Sequence, residues 1–128
     1  MGSRILIVDD SPVARRYVRQ QLELLGYEVV EAADGPTALS ILMRAEPALV
    51  ISDVNMSPMD GFAFVTELRN HYSRKELPVL MLTTEASDEM KALGKSVGAS
   101  GWLVKPFDPA RMGSVVAHVV STSRSVAK

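Results

Sequence analysis

Short apolar runs alternate with amphipathic segments along this sequence, and this alternation constrains the fold more than any other feature. Residues 5–8 (Ile-Leu-Ile-Val) form an apolar, β-branched run that is typical of a buried strand. The next segment carries apolar residues at spacings of four, four and three from Ala14 to Leu25, which places them on one face of a helix. A Ser-Pro pair at 11–12 and Gly26 are the usual start and stop signals of such a helix.

The same strand-then-helix unit occurs five times. Five strands alternating with five helices predict an α/β fold with a mostly parallel sheet, and the near-continuous apolar strands predict that helices cover both of its faces. No low-complexity linker divides the chain, so residues 1–128 are expected to form one domain, with 121–128 a frayed tail. Strands are predicted at 5–8, 27–32, 48–52, 78–82 and 101–104, and helices at 12–25, from 34 to 43, at about 61–72, at 87–97 and from 108 onward.

The composition excludes several kinds of functional site. The 128 residues include no cysteine and two histidines, so disulfides, cysteine nucleophiles and a three-histidine zinc centre are excluded. Fourteen basic and fifteen acidic residues leave a net charge of −1, which argues against a general nucleic-acid binder. We find neither a secretory signal nor an apolar run long enough to span a bilayer, and therefore expect a cytoplasmic protein without membrane insertion.

Polar side chains follow four of the five predicted strands at the point where each strand ends. In a parallel sheet these ends lie along one edge, where open α/β sheets bind their ligands. Carboxylates brought together there repel one another unless a positive charge lies among them, and Mg²⁺ prefers oxygen ligands of this kind. The residues are Asp9 and Asp10 after the first strand, Asp53 after the third, Thr83 and Thr84 after the fourth, and Lys105 after the fifth.

Each of these residues, taken alone, is better explained by a structural role than by a function. Asp10 could cap the first helix, Thr83 and Thr84 could satisfy backbone groups at a strand end, and Lys105 could be a solvated charge. Short motifs have a high false-positive rate, so these interpretations are favoured for any single residue. The placement of all of them at the ends of four strands favours a functional site.

Together with their neighbours in the chain, these strand-end residues form motifs whose order resembles that of a response-regulator receiver domain, closest to the stand-alone chemotaxis type. The resemblance implies a single doubly wound (βα)5 flavodoxin-like domain with a five-stranded parallel sheet of order 2-1-3-4-5. It also implies a signalling switch of a two-component phosphorelay rather than an enzyme acting on other substrates. The motifs are Val8-Asp9-Asp10-Ser11, Ile51-Ser52-Asp53-Val54-Asn55-Met56 through Met59-Asp60-Gly61, Leu82-Thr83, and Lys105-Pro106-Phe107, which together span nearly the whole chain.

The resemblance implies a role for each strand-end residue. Asp53 is implied to accept a phosphoryl group and form an aspartyl phosphate. Mg²⁺ is the implied cofactor, held by Asp10, Asp53 and the backbone carbonyl of Asn55, with Asp9 acting through water. Lys105 is implied to pair with a phosphoryl oxygen.

Further residues are implied to form or tune the switch. The Thr83 hydroxyl is implied to bind another phosphoryl oxygen, and Trp102 stands where the family has the aromatic residue that changes rotamer with it. By the same resemblance, Asn55 and Glu85 occupy positions that are implied to tune spontaneous dephosphorylation. Thr84 stands where Ala or Gly is common, so its side chain is expected to narrow access to the phosphoryl group.

Two features of the loops are also expected from the resemblance. A cis peptide bond is implied between Lys105 and Pro106. Ser57-Pro58 follows Met56, one place later than the usual proline of the family, which predicts a local difference in that loop.

The implied partners are proteins. A sensor histidine kinase or phosphotransfer domain is the implied donor, and an unknown target is expected to bind the face formed by the fourth helix, fifth strand and last helix. No DNA-binding or enzymatic segment follows in the sequence, although a receiver cut from a longer chain has the same pattern. Arg15, Arg16 and Arg19 of the first helix could dock the phosphotransfer domain, but a solvated helix face explains them better.

Other functions stay open at this point. A receiver-like scaffold that is never phosphorylated has the same fold. A small phosphatase with an aspartate nucleophile commonly carries D-x-D after the first strand, whereas Asp9 and Asp10 are adjacent and side chains alternate in direction along a strand. A flavodoxin-type cofactor carrier needs a phosphate-binding loop there, where two aspartates repel a phosphate.

Overall fold

Five parallel strands form one sheet, and a helix follows each strand. The computed structural model describes residues 3–71, 77–84, 87–105 and 109–127. The elements are β1 Arg4–Val8, α1 Pro12–Leu24, β2 Glu28–Ala32, α2 Gly35–Leu42, β3 Leu49–Asp53, α3 Gly61–His71, β4 Val79–Thr83, α4 Asp88–Val97, β5 Gly101–Val104 and α5 Pro109–Ala127.

The strand order is β2-β1-β3-β4-β5, with every neighbouring pair parallel. Both the predicted α/β class and the order implied by the family resemblance are therefore confirmed. The order reverses between β1 and β3, which are neighbours although β2 lies between them in sequence. This reversal leaves a crevice at the carboxyl ends of β1 and β3, the usual binding position in such sheets.

The three central strands, β1, β3 and β4, are largely apolar because both of their faces are buried under helices. Successive side chains of β1 point to opposite sides, so Ile5 and Ile7 belong to one core and Leu6 and Val8 to the other. The first core is completed by residues of α1 and α5, and the second by residues of α2 and α3. A continuous apolar run at 5–8 is thus the pattern that two-sided burial requires.

Side chains that accept backbone hydrogen bonds begin the helices at the predicted places. Ser11 Oγ accepts from the Ala14 amide at 3.2 Å, and Asp34 Oδ1 accepts from the Thr37 amide at 2.7 Å. Gly26 ends α1 with a φ of 94°, a left-handed conformation that favours glycine.

The last helix extends further than the sequence predicts. A frayed tail is expected from Ser121, whereas α5 continues to Ala127. Neither glycine nor proline, the two residues with the lowest helix propensity, occurs after Gly113, so neither interrupts the backbone hydrogen bonding of this helix. Among the described residues, no helix, α5 included, is both long and apolar enough to cross a membrane.

Candidate functional site

Three carboxylates meet at the carboxyl ends of β1 and β3. Val8 pairs with Ser52, so the residues that follow them, Asp9 and Asp53, lie side by side on adjacent strands. One carboxylate oxygen from each of Asp9, Asp10 and Asp53 lies within 4.8 Å of the others. Asp9 and Asp53 are buried and Asp10 is exposed. The structure therefore brings together the three acidic residues singled out from the sequence, with one of them open to solvent.

The two oxygens of the Asp9 carboxylate have different partners. Oδ1 accepts a hydrogen bond from the Ser11 amide at 2.9 Å, and Oδ2 lies 3.4 Å from the Lys105 ammonium nitrogen. The side chain is 1 % exposed, so these contacts replace the water that a free carboxylate would bind. Ser11, and not Asp10, caps α1, which leaves the Asp10 carboxylate available to the site.

Asp53 ends β3 and is held by the backbone that follows it. Its Oδ1 accepts from the Val54 amide at 3.0 Å and lies 3.5 Å from Lys105 Nζ. Within the described part of the chain, no residue donates a hydrogen bond to Oδ2. Burial raises the pKa of the Asp53 carboxyl, the negative charge of Asp9 raises it further, and Lys105 opposes both effects. The site thus has more negative charge than the one lysine compensates, which favours a bound cation.

Asp53→Asn is expected to unfold at a higher denaturant concentration than the native chain at neutral pH without divalent cations. The substitution removes one charge from a buried carboxylate pair, so we expect a gain of about 1–2 kcal/mol in the free energy of unfolding. Because the folded-state pKa of Asp53 is raised, its protonation stabilises the fold, and this contribution is lost as the pH rises through the folded-state pKa. Urea unfolding at several pH values measures both effects.

The pH series also provides the control for this prediction. Below the unfolded-state pKa of about 3.9, Asp53 is protonated in both states and the advantage of the Asn variant should disappear. An Asn variant that is less stable than the native chain at neutral pH would contradict the charge balance described for the site.

Lys105 and Thr83 are brought together by the pairing of the last two strands. Thr83 pairs with Val104, and the Lys105 amide donates to the Thr83 carbonyl oxygen at 2.7 Å. Thr83 is fully buried at the end of β4, whereas the next residue, Thr84, is exposed. Thr84 therefore lies at the solvent side of the site. This position agrees with the expectation that its side chain narrows the access from solvent to a phosphoryl group.

The loop after β3 completes this edge of the sheet. Asn55 is exposed in this loop, between the buried residues Val54 and Met56. The Ser57-Pro58 peptide bond is cis. Glu85 and the peptide bond implied to be cis at Lys105-Pro106 lie outside the described residues, so these two expectations stay predictions.

Gly61 allows α3 to begin directly against the phosphoacceptor candidate. Its amide donates to the Val54 carbonyl oxygen at 2.8 Å. A Cβ atom at this position would overlap the backbone carbonyl oxygen of Asp53 and lie 2.9 Å from the Val54 Cα. These atoms belong to the backbone and cannot rotate away, so any larger residue must displace the end of β3.

Gly61→Ala is expected to lower the free energy of unfolding by about 1–3 kcal/mol, because the added methyl group forces a backbone shift. The matched control is Gly113→Ala in α5, where the nearest atom is the flexible side-chain end of Leu25 at 3.2 Å. That substitution should be neutral or stabilising by up to about 1 kcal/mol, since alanine is the better helix former. Chemical denaturation of both variants tests the difference, and equal stabilities would contradict it.

Trp102 of β5 packs against α4 and α3 on the second face of the sheet. Its ring centroid lies 6.0 Å from that of Phe62, at an interplanar angle of 54°. A Cβ atom at Gly94 of α4 would lie 2.5 Å from Cζ2 of the indole. The glycine therefore provides the space in which the large aromatic side chain lies partly buried, at the position that the resemblance assigns to the switch.

Arg15 of α1 also reaches this site, which the interpretation of a solvated helix face missed. Its Nη1 donates to the backbone carbonyl oxygen of Asp9 at 2.7 Å, and its Nε donates to Oε1 of Glu31 at 3.1 Å. The contact between Arg15 and Glu31 could not be predicted from the helical spacing of α1, because Glu31 lies on β2, sixteen residues away. A sequence signal does exist, since Glu31 directly follows two apolar residues within a predicted strand, and a carboxylate that is drawn into such a sheet needs a partner.

The sequence pattern of the family described as "Response regulator receiver domain" matches residues 5–117. The solved structure of the chemotaxis protein CheY4 of Vibrio cholerae is 47 % identical; the match covers 93 % of this chain and 99 % of that chain, with a TM-score of 0.89. A second similar structure is the receiver domain of the sensor histidine kinase PA1611 from Pseudomonas aeruginosa PAO1, which has a magnesium ion coordinated in its active site cleft. It is 26 % identical; the match covers 94 % of this chain and 99 % of that chain, with a TM-score of 0.87.

Longer proteins also contain a related segment. A probable transcriptional regulator, ycf27, of Porphyridium aerugineum is 38 % identical over 124 residues, which are 94 % of this chain and 50 % of that protein. The chain therefore spans about half the length of the curated relatives it matches.

Proposed function

Since the chain belongs to the response regulator receiver domain family of two-component systems, we propose that it accepts a phosphoryl group on Asp53 and thereby switches a protein-binding surface. The observation that supports this most directly is the meeting of three carboxylates and one lysine at the carboxyl edge of the sheet. These groups come from the carboxyl ends of three strands, β1, β3 and β5, so the arrangement depends on the whole fold.

The proposed reaction is a transfer from a phosphohistidine of a sensor kinase or phosphotransfer domain. A carboxylate oxygen of Asp53 attacks phosphorus, an acyl phosphate bond forms, and the phosphorus–nitrogen bond breaks with its electron pair left on the imidazole. Lys105 lies within 3.5 Å of Asp53 and compensates the charge that arrives with the phosphoryl oxygens. The buried Thr83 hydroxyl is the proposed donor to a further phosphoryl oxygen.

The acidic residues fit Mg²⁺ as the cofactor. Their ligand atoms are all oxygens within 4.8 Å of one another, and the exposed Asp10 leaves room for the water ligands that Mg²⁺ retains. We assign Asp10, Asp53 and the Asn55 carbonyl as direct ligands, with Asp9 acting through water. When bound, the ion supplies positive charge that offsets the phosphoryl oxygens and orients the transfer.

The proposed output surface is the face of α4, β5 and α5. Leu93 of α4 and Val104 of β5 are exposed on these elements although both are apolar, as in surfaces that bind other proteins. Trp102 lies between β5 and α4, so a change in its rotamer would alter this face directly. We propose that Thr83 and Trp102 move together when Asp53 is phosphorylated.

Beryllium fluoride, a stable mimic of a phosphoryl group, tests this function without a kinase. Trp102 is the single tryptophan of the chain, so its emission reports on the α4–β5 region alone. We expect a saturable change in emission that requires both beryllium fluoride and Mg²⁺. If binding raises the unfolding temperature but leaves the emission unchanged, the site functions without the proposed switch, and if neither changes, the scaffold interpretation replaces this proposal.

A further inference from the structure

A network of charged side chains connects the outer face of α1 with the acidic site. The guanidinium of Arg15 donates to the Asp9 carbonyl oxygen at 2.7 Å and to Glu31 Oε1 at 3.1 Å. The other oxygen of Glu31 accepts from Arg19 Nη1 at 2.5 Å. The Arg15 side chain is 18 % exposed, so it is fixed between a strand carboxylate and a loop carbonyl and does not extend into solvent.

The carbonyl contacted by Arg15 belongs to the peptide group that joins Asp9 to Asp10. A peptide group is planar, so fixing its oxygen fixes the direction in which the chain continues into Asp10. The Asp9 carboxylate is already held by Ser11 and Lys105. Among the described residues, no side chain donates a hydrogen bond to the Asp10 carboxylate, so its direction depends on the backbone.

We propose that Arg15 is a positioning residue that holds the Asp9–Asp10 peptide so that the Asp10 carboxylate points toward Asp53, and that Glu31 keeps Arg15 in place. The inference rests on the proposed function, because it gives Arg15 a part in binding the cation used there. Neighbours of this kind orient metal ligands without touching the metal, and their loss weakens binding.

A simple charge effect and a positioning role of Arg15 predict opposite changes in the affinity for Mg²⁺ when Arg15 is replaced. Removing a positive charge near a cation site lowers the repulsion of the cation, so a purely electrostatic role of Arg15 predicts tighter Mg²⁺ binding in its absence. A positioning role predicts weaker binding, because the carboxylates lose their arrangement. The direction of the change in the Mg²⁺ dissociation constant therefore separates the two roles.

The test compares Arg15→Gln with Arg16→Gln by isothermal titration calorimetry with MgCl₂. The two substitutions remove the same charge from adjacent positions of α1, and Arg16 is exposed. We expect Arg15→Gln to raise the Mg²⁺ dissociation constant by about 10-fold, and Arg16→Gln to leave it near the native value. Glu31→Gln should raise the Mg²⁺ dissociation constant by less than Arg15→Gln does, since Arg15 then loses only its contact with the Glu31 carboxylate.

Phosphoryl uptake from acetyl phosphate gives a second readout. At saturating Mg²⁺ the rate of Arg15→Gln should recover toward the native rate, because Asp53 and Lys105 are intact, whereas general damage to the fold would lower it at every Mg²⁺ concentration. Circular dichroism checks folding. If Arg15→Gln does not fold, Arg15→Lys decides the question: it keeps the positive charge but replaces the planar guanidinium, so a positioning role predicts a raised Mg²⁺ dissociation constant and a pure charge effect predicts the native value.

Three results would overturn the inference. Arg15→Gln that binds Mg²⁺ as tightly as the native chain, or more tightly, excludes a positioning role while leaving the proposed function intact. An equal loss of Mg²⁺ affinity in Arg16→Gln would show that the positive charge of α1 acts without the contact between Arg15 and the Asp9 carbonyl oxygen. If the native chain binds no Mg²⁺ and takes up no phosphoryl group, the proposed function fails, and the inference fails with it.

Discussion

Asp53→Asn is expected to take up no phosphoryl group from acetyl phosphate in the presence of Mg²⁺, whereas the native chain is expected to take up one. This is the largest effect that the proposed function predicts, because the amide oxygen of asparagine is a much poorer nucleophile than a carboxylate. The expected difference is a complete loss, measured by intact mass after the reaction. The fold of the variant should be retained, since Asn can accept the hydrogen bond from the Val54 amide that Asp53 Oδ1 accepts.

The matched control for this experiment is Asp60→Asn. Asp60 is an exposed aspartate seven residues away, and its Oδ1 accepts a hydrogen bond from the Ala63 amide at 2.8 Å at the start of α3. Asn caps helices as well as Asp does, so this variant should fold and react like the native chain. Uptake of a phosphoryl group by Asp53→Asn would show that the acceptor is a different residue.

Lys105→Met is expected to slow phosphoryl uptake by about 10²-fold, the usual effect of removing one charged donor from a site of developing charge. Its ammonium nitrogen is the cation nearest to both buried carboxylates in the described structure, at 3.4 Å from Asp9 and 3.5 Å from Asp53. Without Mg²⁺ the variant should also be less stable by about 1–3 kcal/mol, because the two carboxylates then lack compensation. Reaction time courses and urea unfolding measure the two effects.

Lys91→Met provides the comparison for Lys105→Met. Lys91 is exposed on α4, so removing its charge should change neither the reaction rate with acetyl phosphate nor the stability appreciably. Added Mg²⁺ should restore part of the lost stability in Lys105→Met, because the cation replaces the missing charge. A Lys105→Met variant that reacts at the native rate would show that this lysine has no role in the transfer.

The elements of the fold could be predicted from local sequence alone. Two-sided burial requires continuous apolar strands such as 5–8, and caps such as Ser11 and Asp34 mark helix starts within one residue. The order of the strands could not be derived in this way, because strand pairing depends on contacts between distant segments, and it entered through the family resemblance. The length of α5 was also not predictable, since small polar residues from Ser121 onward only weakly disfavour a helix.

The carboxylates of the site could be predicted because each lies at the carboxyl end of a strand. What could not be predicted were the contacts that hold them, which join residues far apart in sequence. The link from Arg15 to Asp9 depends on the fixed rotamer of an arginine on a helix, and the space for Trp102 depends on Gly94 of α4. Neither pair has a spacing that a helical or strand period reveals.

The most direct test of the central claim is the intact mass of the native chain after incubation with acetyl phosphate, with Mg²⁺ and with Mg²⁺ removed by a chelator. The account predicts one added phosphoryl group with Mg²⁺ and little or none without it, because the carboxylates at Asp9, Asp10 and Asp53 repel an incoming phosphate unless a cation compensates them. No adduct under either condition, together with no binding of beryllium fluoride, would contradict the account and identify the chain as a receiver-like scaffold.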